Sequence, residues 1–196
     1  MNLANKLTML RIILVPVFLV FIALKGIPYG TIIATLVFIV ASLTDQLDGY
    51  IARSRNQITT FGKFMDPLAD KLLVTAALIS LVELGLIPSL AATIIIAREF
   101  AVSGLRTIAA SEGKIIAASW WGKIKTVTQI IAILLLLIKV NIGSTQYLTN
   151  LVNNHVGIKQ FFDIAPNIFL ILAVIITIIS GIDYFIKNKK VLSMTK

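Results

Sequence analysis

Cysteine is absent from the 196-residue sequence, and histidine occurs once, at position 155. Without cysteine, disulfides and thiolate metal sites are excluded. We expect His155 to be a surface residue away from the acidic residues, and we assign no chemistry to it. Charged residues are also scarce, at 14%, whereas soluble domains carry roughly 25%. This scarcity excludes an ordinary soluble domain.

Apolar residues dominate instead, at 58% of the chain, and several apolar runs approach the roughly 20 residues that cross a bilayer as a helix. We therefore predict an all-α, polytopic membrane protein in which residues 1–196 form a single membrane-embedded domain. Hydropathy predicts six transmembrane helices. They cover Thr8–Leu24, Tyr29–Arg53, Pro67–Leu86, Ser89–Ala110, Lys123–Val140 and Ile164–Ile186. No small-residue cleavage site follows the first apolar run, so we expect the first span to be retained.

Positive charge exceeds negative charge, with 18 Lys and Arg against 9 Asp and Glu. Most of the basic residues fall on one side of the predicted spans, so the positive-inside rule places both termini and the acidic segment in the cytoplasm. The orientation in the membrane then explains the excess of positive charge, so a nucleic-acid partner is not needed to account for it. The basic residues also suit contact with anionic membrane lipids. The segment from Asn141 to Asn167 is predicted to be a loop on the outside.

Four of the nine acidic residues lie within residues 42–73, at the edge of apolar runs. Asp45 and Asp48 are spaced i, i+3, and Asp66 and Asp70 are spaced i, i+4, so each pair shares one face of a helix. Hard divalent cations such as Mg²⁺, Mn²⁺ and Ca²⁺ prefer carboxylate oxygens and would relieve the repulsion among them. The pattern predicts a site for one or two such cations, matched in charge to a diphosphate.

Small and basic residues accompany the aspartates. Gly49 and Gly62 remove side chains where a ligand could approach the backbone, and Ala52 does so more mildly. Arg53 and Lys63 supply cations for phosphate oxygens. The alternative is that the aspartates are interfacial helix caps paired with nearby basic side chains, but the spacing of all four, with small residues between them, favours the diphosphate site.

The segment resembles the full signature of the CDP-alcohol phosphatidyltransferase family. The pattern is Asp45-x-x-Asp48-Gly49-x-x-Ala52-Arg53, then eight residues, then Gly62-x-x-x-Asp66-x-x-x-Asp70. Chain length and the predicted spans agree with the family, so the resemblance covers essentially the whole chain. It implies that an alcohol attacks the β-phosphorus of a CDP-linked lipid and that CMP leaves.

The resemblance also implies roles for individual residues. Asp45, Asp48 and Asp66 would be metal ligands, with Mg²⁺ or Mn²⁺ as two divalent ions. Asp70 would be the general base on the incoming hydroxyl and would also lie near a metal. Gly49, Ala52 and Arg53 would line the CDP pocket, to which we also assign Gly62 and Lys63. A homodimer in the bacterial cytoplasmic membrane is implied as well.

Residues outside the signature bear on which alcohol is used. The stretch "NKLTMLRI" resembles the Asn-x-x-Thr-x-x-Arg opening of the bacterial family members that form phosphatidylglycerophosphate, and Asn5, Thr8 and Arg11 match it. Ala4 departs from the proline often found before that asparagine. We assign Asn5 and Thr8 to the CDP-lipid site. A helix cap plus a positive-inside anchor is the alternative.

Basic residues farther along predict a pocket for an acceptor that carries its own phosphate. Lysines and a threonine hydroxyl can hold a phosphomonoester dianion. The candidates are Arg106, Lys114, Lys123, Lys125 and Thr126. "IIAREFAVSGLRTIAA" and "GKIKTVTQ" resemble segments of the same phosphatidylglycerophosphate-forming members. Solvated lysines on the inner face remain an alternative.

We therefore predict CDP-diacylglycerol as donor and glycerol 3-phosphate as acceptor, with inositol phosphate or serine as alternative acceptors. Arg98 and Glu99 are interpreted as a structural or dimer-related polar pair, favoured slightly over a substrate contact. An intramembrane prenyltransferase and a cation carrier are more distant alternatives. Both fit less well, because the two aspartate pairs lie within one hairpin at one membrane face.

Overall fold

The computed structural model describes residues 3–24, 26–54, 60–111, 113, 116–117 and 119–189. Side chains are described in these ranges except at 3–5, 45–54, 60–64, 66, 67 and 70. The helices are α1 (Leu3–Ala23), α2 (Gly30–Ser54), α3 (Thr60–Glu83), α4 (Ser89–Ser111), α5 (Trp120–Ser144), α6 (Gln146–Asn153) and α7 (Val156–Lys187). The predicted all-α class is confirmed for the described part of the chain.

Three of the described helices are long and apolar enough, by length and composition, to cross a membrane. They are Lys6–Ala23 within α1, Trp120–Ser144 and Val156–Lys187. In α2 a shorter apolar stretch covers Gly30–Thr44. The 23-residue helix α4 has sufficient length, but its apolar run is interrupted by charged side chains. The described helices thus support a membrane protein, and the full number of six spans stays a prediction.

The predicted loop from Asn141 to Asn167 is helical, so that prediction was wrong. Helix α5 continues to Ser144, α6 follows at once, and α7 already begins at Val156. Hydropathy marks helices that are apolar all round, whereas α6 is amphipathic and exposed, and the first turns of α7 are partly polar. The polar residues that indicated a loop therefore belong to helices outside the apolar spans.

The connection between α3 and α4 shows why "GLIPS" reverses the chain. Gly85 adopts φ = 71°, a left-handed conformation that favours glycine. Its N–H donates to the carbonyl of Val82, and the N–H of Leu86 donates to the carbonyl of Leu81, a Schellman motif that completes the helix end. The chain therefore reverses at the boundary between the third and fourth predicted spans.

The core forms where α1 packs on α2 and α3 and where α5 packs on α2 and α7. Phe18 and Phe38 meet with ring centroids 6.1 Å apart, surrounded by buried aliphatic side chains of α3 and α5. A second, smaller cluster joins α4 to α7 through Leu105 and Tyr184. This packing surrounds one polar cavity with residues of α1 to α5.

Candidate active site

The polar cavity lies among α1, α2, α3, α4 and α5 and encloses about 60 Å³, which is room for several ordered water molecules. Its polar lining consists of three cations, one carboxylate and three neutral side chains, namely Arg11, Lys71, Lys125, Glu99, Ser42, Thr126 and Gln129. The described lining therefore has an excess of positive charge, which attracts anions.

Several of these polar side chains are almost completely buried. Arg11 and Lys125 are each only 1% exposed, and cations are seldom buried so deeply unless they are paired. The Lys125 ammonium contacts Glu99 Oε1. Gln129 is 3% exposed, and its Oε1 accepts no hydrogen bond from the described residues. Since a buried polar atom without a partner costs free energy, Gln129 is suited to a ligand that donates to it.

The aspartate motif is carried by two helices that line this cavity. Asp45 and Asp48 belong to α2, and Asp66 and Asp70 belong to α3, so both predicted spacings fall on helical backbone. The side chains of the motif lie outside the described residues. They are those of Asp45, Asp48, Gly49, Ala52, Arg53, Gly62, Lys63, Asp66 and Asp70. As a donor set, four carboxylates in helical register suit Mg²⁺ or Mn²⁺, so the metal site stays a prediction consistent with the backbone.

Helical register relates the aspartates to the cavity lining. Ser42 precedes Asp45 by three residues, and Val74 follows Asp70 by four, and both Ser42 and Val74 line the cavity. Residues three or four apart share a helix face. The positions of Asp45 and Asp70 therefore lie on the faces of α2 and α3 that border the cavity.

The predicted phosphate-binding residues separate into two groups. Lys125 and Thr126 line the cavity. Arg106 does not: its Nε donates to the hydroxyl of Tyr184 at 2.9 Å, and its guanidinium carbon is 5.5 Å from the centre of that ring. Lys123 is exposed, with its ammonium 5.0 Å from the ring centre of Trp120. Lys114 lies outside the described residues.

The residues predicted from the N-terminal stretch lie on α1. Thr8 is fully buried, at 0% exposure, and Arg11, one turn farther along, reaches the cavity. The side chain of Asn5 lies outside the described part of the chain. Of the two residues of this group whose side chains are described, Arg11 lines the cavity.

The sequence analysis did not assign two residues that line the cavity, Lys71 and Gln129, and it treated Arg98 and Glu99 together. Gln129 lies one helical turn after Lys125, so its register could have indicated it. Lys71 directly follows Asp70 and does not share its helix face, so only the packing of the helices shows that Lys71 lines the cavity. The predicted pair of Arg98 and Glu99 is present as an ion pair, with 4.0 Å between Arg98 Nη1 and Glu99 Oε2, and each residue also has a separate contact. Arg98 donates to Ser180 Oγ of α7 at 2.6 Å, whereas Glu99 lines the cavity.

Fold and site together define an all-helical protein of membrane type with a cationic cavity beside a carboxylate-rich helix pair. The model of the CDP-alcohol phosphatidyltransferase family matches residues 1–179, and the chain belongs to this family. The resemblance predicted from the motif is thereby confirmed.

Relatives that match most of the chain include the following three. The CDP-diacylglycerol–glycerol-3-phosphate 3-phosphatidyltransferase of Bacillus subtilis (strain 168) is 44% identical over 95% of each chain. The Haemophilus influenzae protein of the same name is 39% identical over 93% of this chain and 91% of its own. A probable phosphatidylglycerophosphate synthase of Mycobacterium tuberculosis (strain H37Rv) is 36% identical over 93% and 79%.

Proposed function

We propose that this protein transfers the phosphatidyl group of CDP-diacylglycerol to sn-glycerol 3-phosphate, forming phosphatidylglycerophosphate and CMP. The cationic cavity on the aspartate-bearing faces of α2 and α3 carries this proposal. A diphosphate at the aspartates and a phosphomonoester in the cavity would lie side by side. That arrangement suits an acceptor that carries its own phosphate, and the names of the relatives agree with it.

The reaction forms one P–O bond and breaks another. A hydroxyl oxygen of the acceptor bonds to the phosphorus next to diacylglycerol, the bond from that phosphorus to the CMP oxygen breaks, and CMP leaves. We propose Asp70 as the base that accepts the hydroxyl proton. Two divalent ions held by Asp45, Asp48, Asp66 and Asp70 would offset the charge of the diphosphate and of the leaving CMP.

The remaining residues bind and orient the two substrates in this proposal. Residues of the α2–α3 segment contact the CDP-lipid; they are Gly49, Ala52, Arg53, Gly62 and Lys63, with Asn5 and Thr8 from α1. In this proposal the acceptor phosphate is held by Lys125 and Thr126, the two predicted phosphate ligands that line the cavity, and by Arg11 and Lys71, which line it as well. Arginine and lysine suit this role because charge-assisted hydrogen bonds to phosphate are strong and short.

We further propose six transmembrane helices with both termini and the active site facing the bacterial cytoplasm. The distribution of basic residues supports this orientation. The chain acts as one membrane-embedded catalytic domain, assembled as a homodimer and surrounded by membrane lipids. Soluble glycerol 3-phosphate would then enter from the cytoplasmic side, while the acyl chains of the donor stay in the bilayer.

The test is CMP release by the purified protein in detergent with CDP-diacylglycerol, labelled sn-glycerol 3-phosphate and Mg²⁺. We expect labelled phosphatidylglycerophosphate and CMP in equal amounts. Chelation should abolish both, and added Mg²⁺ or Mn²⁺ should restore them. CMP release with inositol phosphate or serine, and none with glycerol 3-phosphate, would overturn the assignment of glycerol 3-phosphate as the acceptor.

A further inference from the structure

Glu99 is a carboxylate in a cavity whose other described charged lining residues are cations. A phosphate dianion is repelled by a carboxylate, so Glu99 does not suit the role of a phosphate ligand. Its side chain is 21% exposed, against 2% for the side chain of Lys125, so it is the more accessible member of the pair. The charge and position of Glu99 therefore require a different explanation.

The contacts of Glu99 leave it able to accept further hydrogen bonds. Its Oε1 contacts the ammonium of Lys125, and its Oε2 is 4.0 Å from the guanidinium of Arg98, which is too long for a hydrogen bond. Arg98 instead donates to Ser180. Each oxygen of a carboxylate can accept two hydrogen bonds, so Oε2 can accept from a ligand.

Gln129 is an independent indication of a hydrogen-bond donor in the ligand. Its side chain lines the same cavity and is 97% buried, and no described residue donates to its Oε1. It lies four residues after Lys125 on α5, so it shares a helix face with the lysine that Glu99 contacts. Glu99 on α4 and Gln129 on α5 thus place two acceptor groups in the same cavity as Lys125.

An acceptor such as glycerol 3-phosphate has two chemically different parts. Its phosphate accepts hydrogen bonds and suits the cations, whereas its hydroxyl groups donate and need acceptor atoms. One hydroxyl reacts, and the other remains free. We infer that Glu99 and Gln129 form a hydroxyl subsite, which accepts hydrogen bonds from the non-reacting hydroxyl of the phosphorylated acceptor and so determines acceptor specificity.

This inference rests on the proposed function, and it is tested by comparing two acceptors. 3-Hydroxypropyl phosphate retains the phosphate and a primary hydroxyl but lacks the secondary hydroxyl of sn-glycerol 3-phosphate. We expect the wild-type kcat/KM to be roughly ten- to a hundredfold higher for glycerol 3-phosphate than for 3-hydroxypropyl phosphate. Only the former can donate from a second hydroxyl to the Glu99 carboxylate, and hydrogen bonds to charged groups are stronger than those between neutral groups. Glu99→Ala and Gln129→Leu should each reduce this ratio severalfold, mainly by slowing the reaction with glycerol 3-phosphate.

Lys71→Met is the matched control, since it removes a proposed phosphate contact that both acceptors share and keeps Lys125, the partner of Glu99, in place. It should lower kcat/KM for both and leave their ratio unchanged. The inference is overturned if the wild-type ratio is near one. It is also overturned if Glu99→Ala and Gln129→Leu slow both acceptors equally, because neither residue would then distinguish the acceptors by the second hydroxyl. A wild-type protein that releases no CMP with either acceptor overturns the proposed function itself.

Discussion

Lys125 is the more deeply buried of the two lysines that line the cavity. Its side chain is 2% exposed, and its ammonium contacts Glu99. Burial of a cation carries a large desolvation cost that its contacts within the protein offset only in part. A phosphate dianion would add charge-assisted hydrogen bonds to the same ammonium. Lys125 is therefore the lysine whose removal should affect the acceptor most.

We expect Lys125→Met to raise the apparent KM for sn-glycerol 3-phosphate by about ten- to a hundredfold, since a hydrogen bond to a charged group contributes about 1.5–3 kcal/mol. The KM for CDP-diacylglycerol should change less. Steady-state CMP release measures both. Lys123→Met is the control, because Lys123 is exposed beside Trp120. Equal KM changes in the two variants would contradict the assignment of Lys125.

Arg106 provides a second comparison with Lys125. Its guanidinium is hydrogen-bonded to Tyr184, so it lies at the α4–α7 contact and not in the cavity lining. We expect Arg106→Ala to raise the acceptor KM less than Lys125→Met does. The same kinetic assay compares them. A larger effect of Arg106→Ala would mean that the arginine leaves Tyr184 to bind the acceptor.

Asp70→Asn tests the proposed base. An amide cannot take the hydroxyl proton, so we expect kcat to fall by about 10²- to 10⁴-fold while binding of a CDP nucleotide to the purified protein remains measurable. Asp163→Asn is the control, since Asp163 is exposed near the start of α7. Full activity of Asp70→Asn would exclude Asp70 as the base.

At the level of helices, the contact between α4 and α7 fixes the position of α4, the helix that carries Glu99. Arg98 donates to Ser180, and Arg106 donates to Tyr184, so two arginines two turns apart on α4 bond to α7. Gly181 leaves room for this contact, because a Cβ there would be 3.3 Å from Arg98 Cγ. The position of Glu99 in the cavity therefore depends on close approach of these two helices.

Gly181→Leu should separate α4 from α7, because the added side chain overlaps Arg98. Overpacking of this kind costs about 1–3 kcal/mol, so we expect a lower midpoint of thermal unfolding in detergent, followed by circular dichroism. Gly104→Leu adds the same side chain where nothing lies within 4 Å, and it should change the midpoint little. Equal midpoints for the two variants would show that the α4–α7 contact tolerates the added volume.

At the level of the whole molecule, the outer surface is strongly apolar. Helix α7 alone exposes a series of isoleucines and leucines along its length, including Ile164, Ile168, Ile171, Leu172 and Ile175. Contiguous exposed apolar surface of this extent is unfavourable in water and suits contact with lipid chains. The polar cavity and the apolar exterior together agree with an enzyme that joins a soluble substrate to a lipid.

The proposed orientation can be tested with single cysteines, because the chain contains none. Ser111, at the end of α4, is expected in the cytoplasm, and Asn153, at the end of α6, is expected outside; both are exposed. In intact cells a membrane-impermeant maleimide should label Asn153→Cys only, and lysis should allow labelling of Ser111→Cys. The opposite pattern, or labelling of both before lysis, would contradict the orientation.

Local patterns in the chain were sufficient to predict the helical class, the register of the two aspartate pairs and the family, because each depends on residues close together in sequence. The amphipathic helix α6 was missed because its polar residues resemble those of a loop. The composition of the cavity depended on tertiary structure. Lys125 and Arg106 look equivalent as basic residues of inner-face segments, yet one meets Glu99 in the cavity and the other meets Tyr184 on α7. Helical periodicity determines which face of a helix a residue occupies, but only the packing of α4 against α5 and α7 determines what that face contacts.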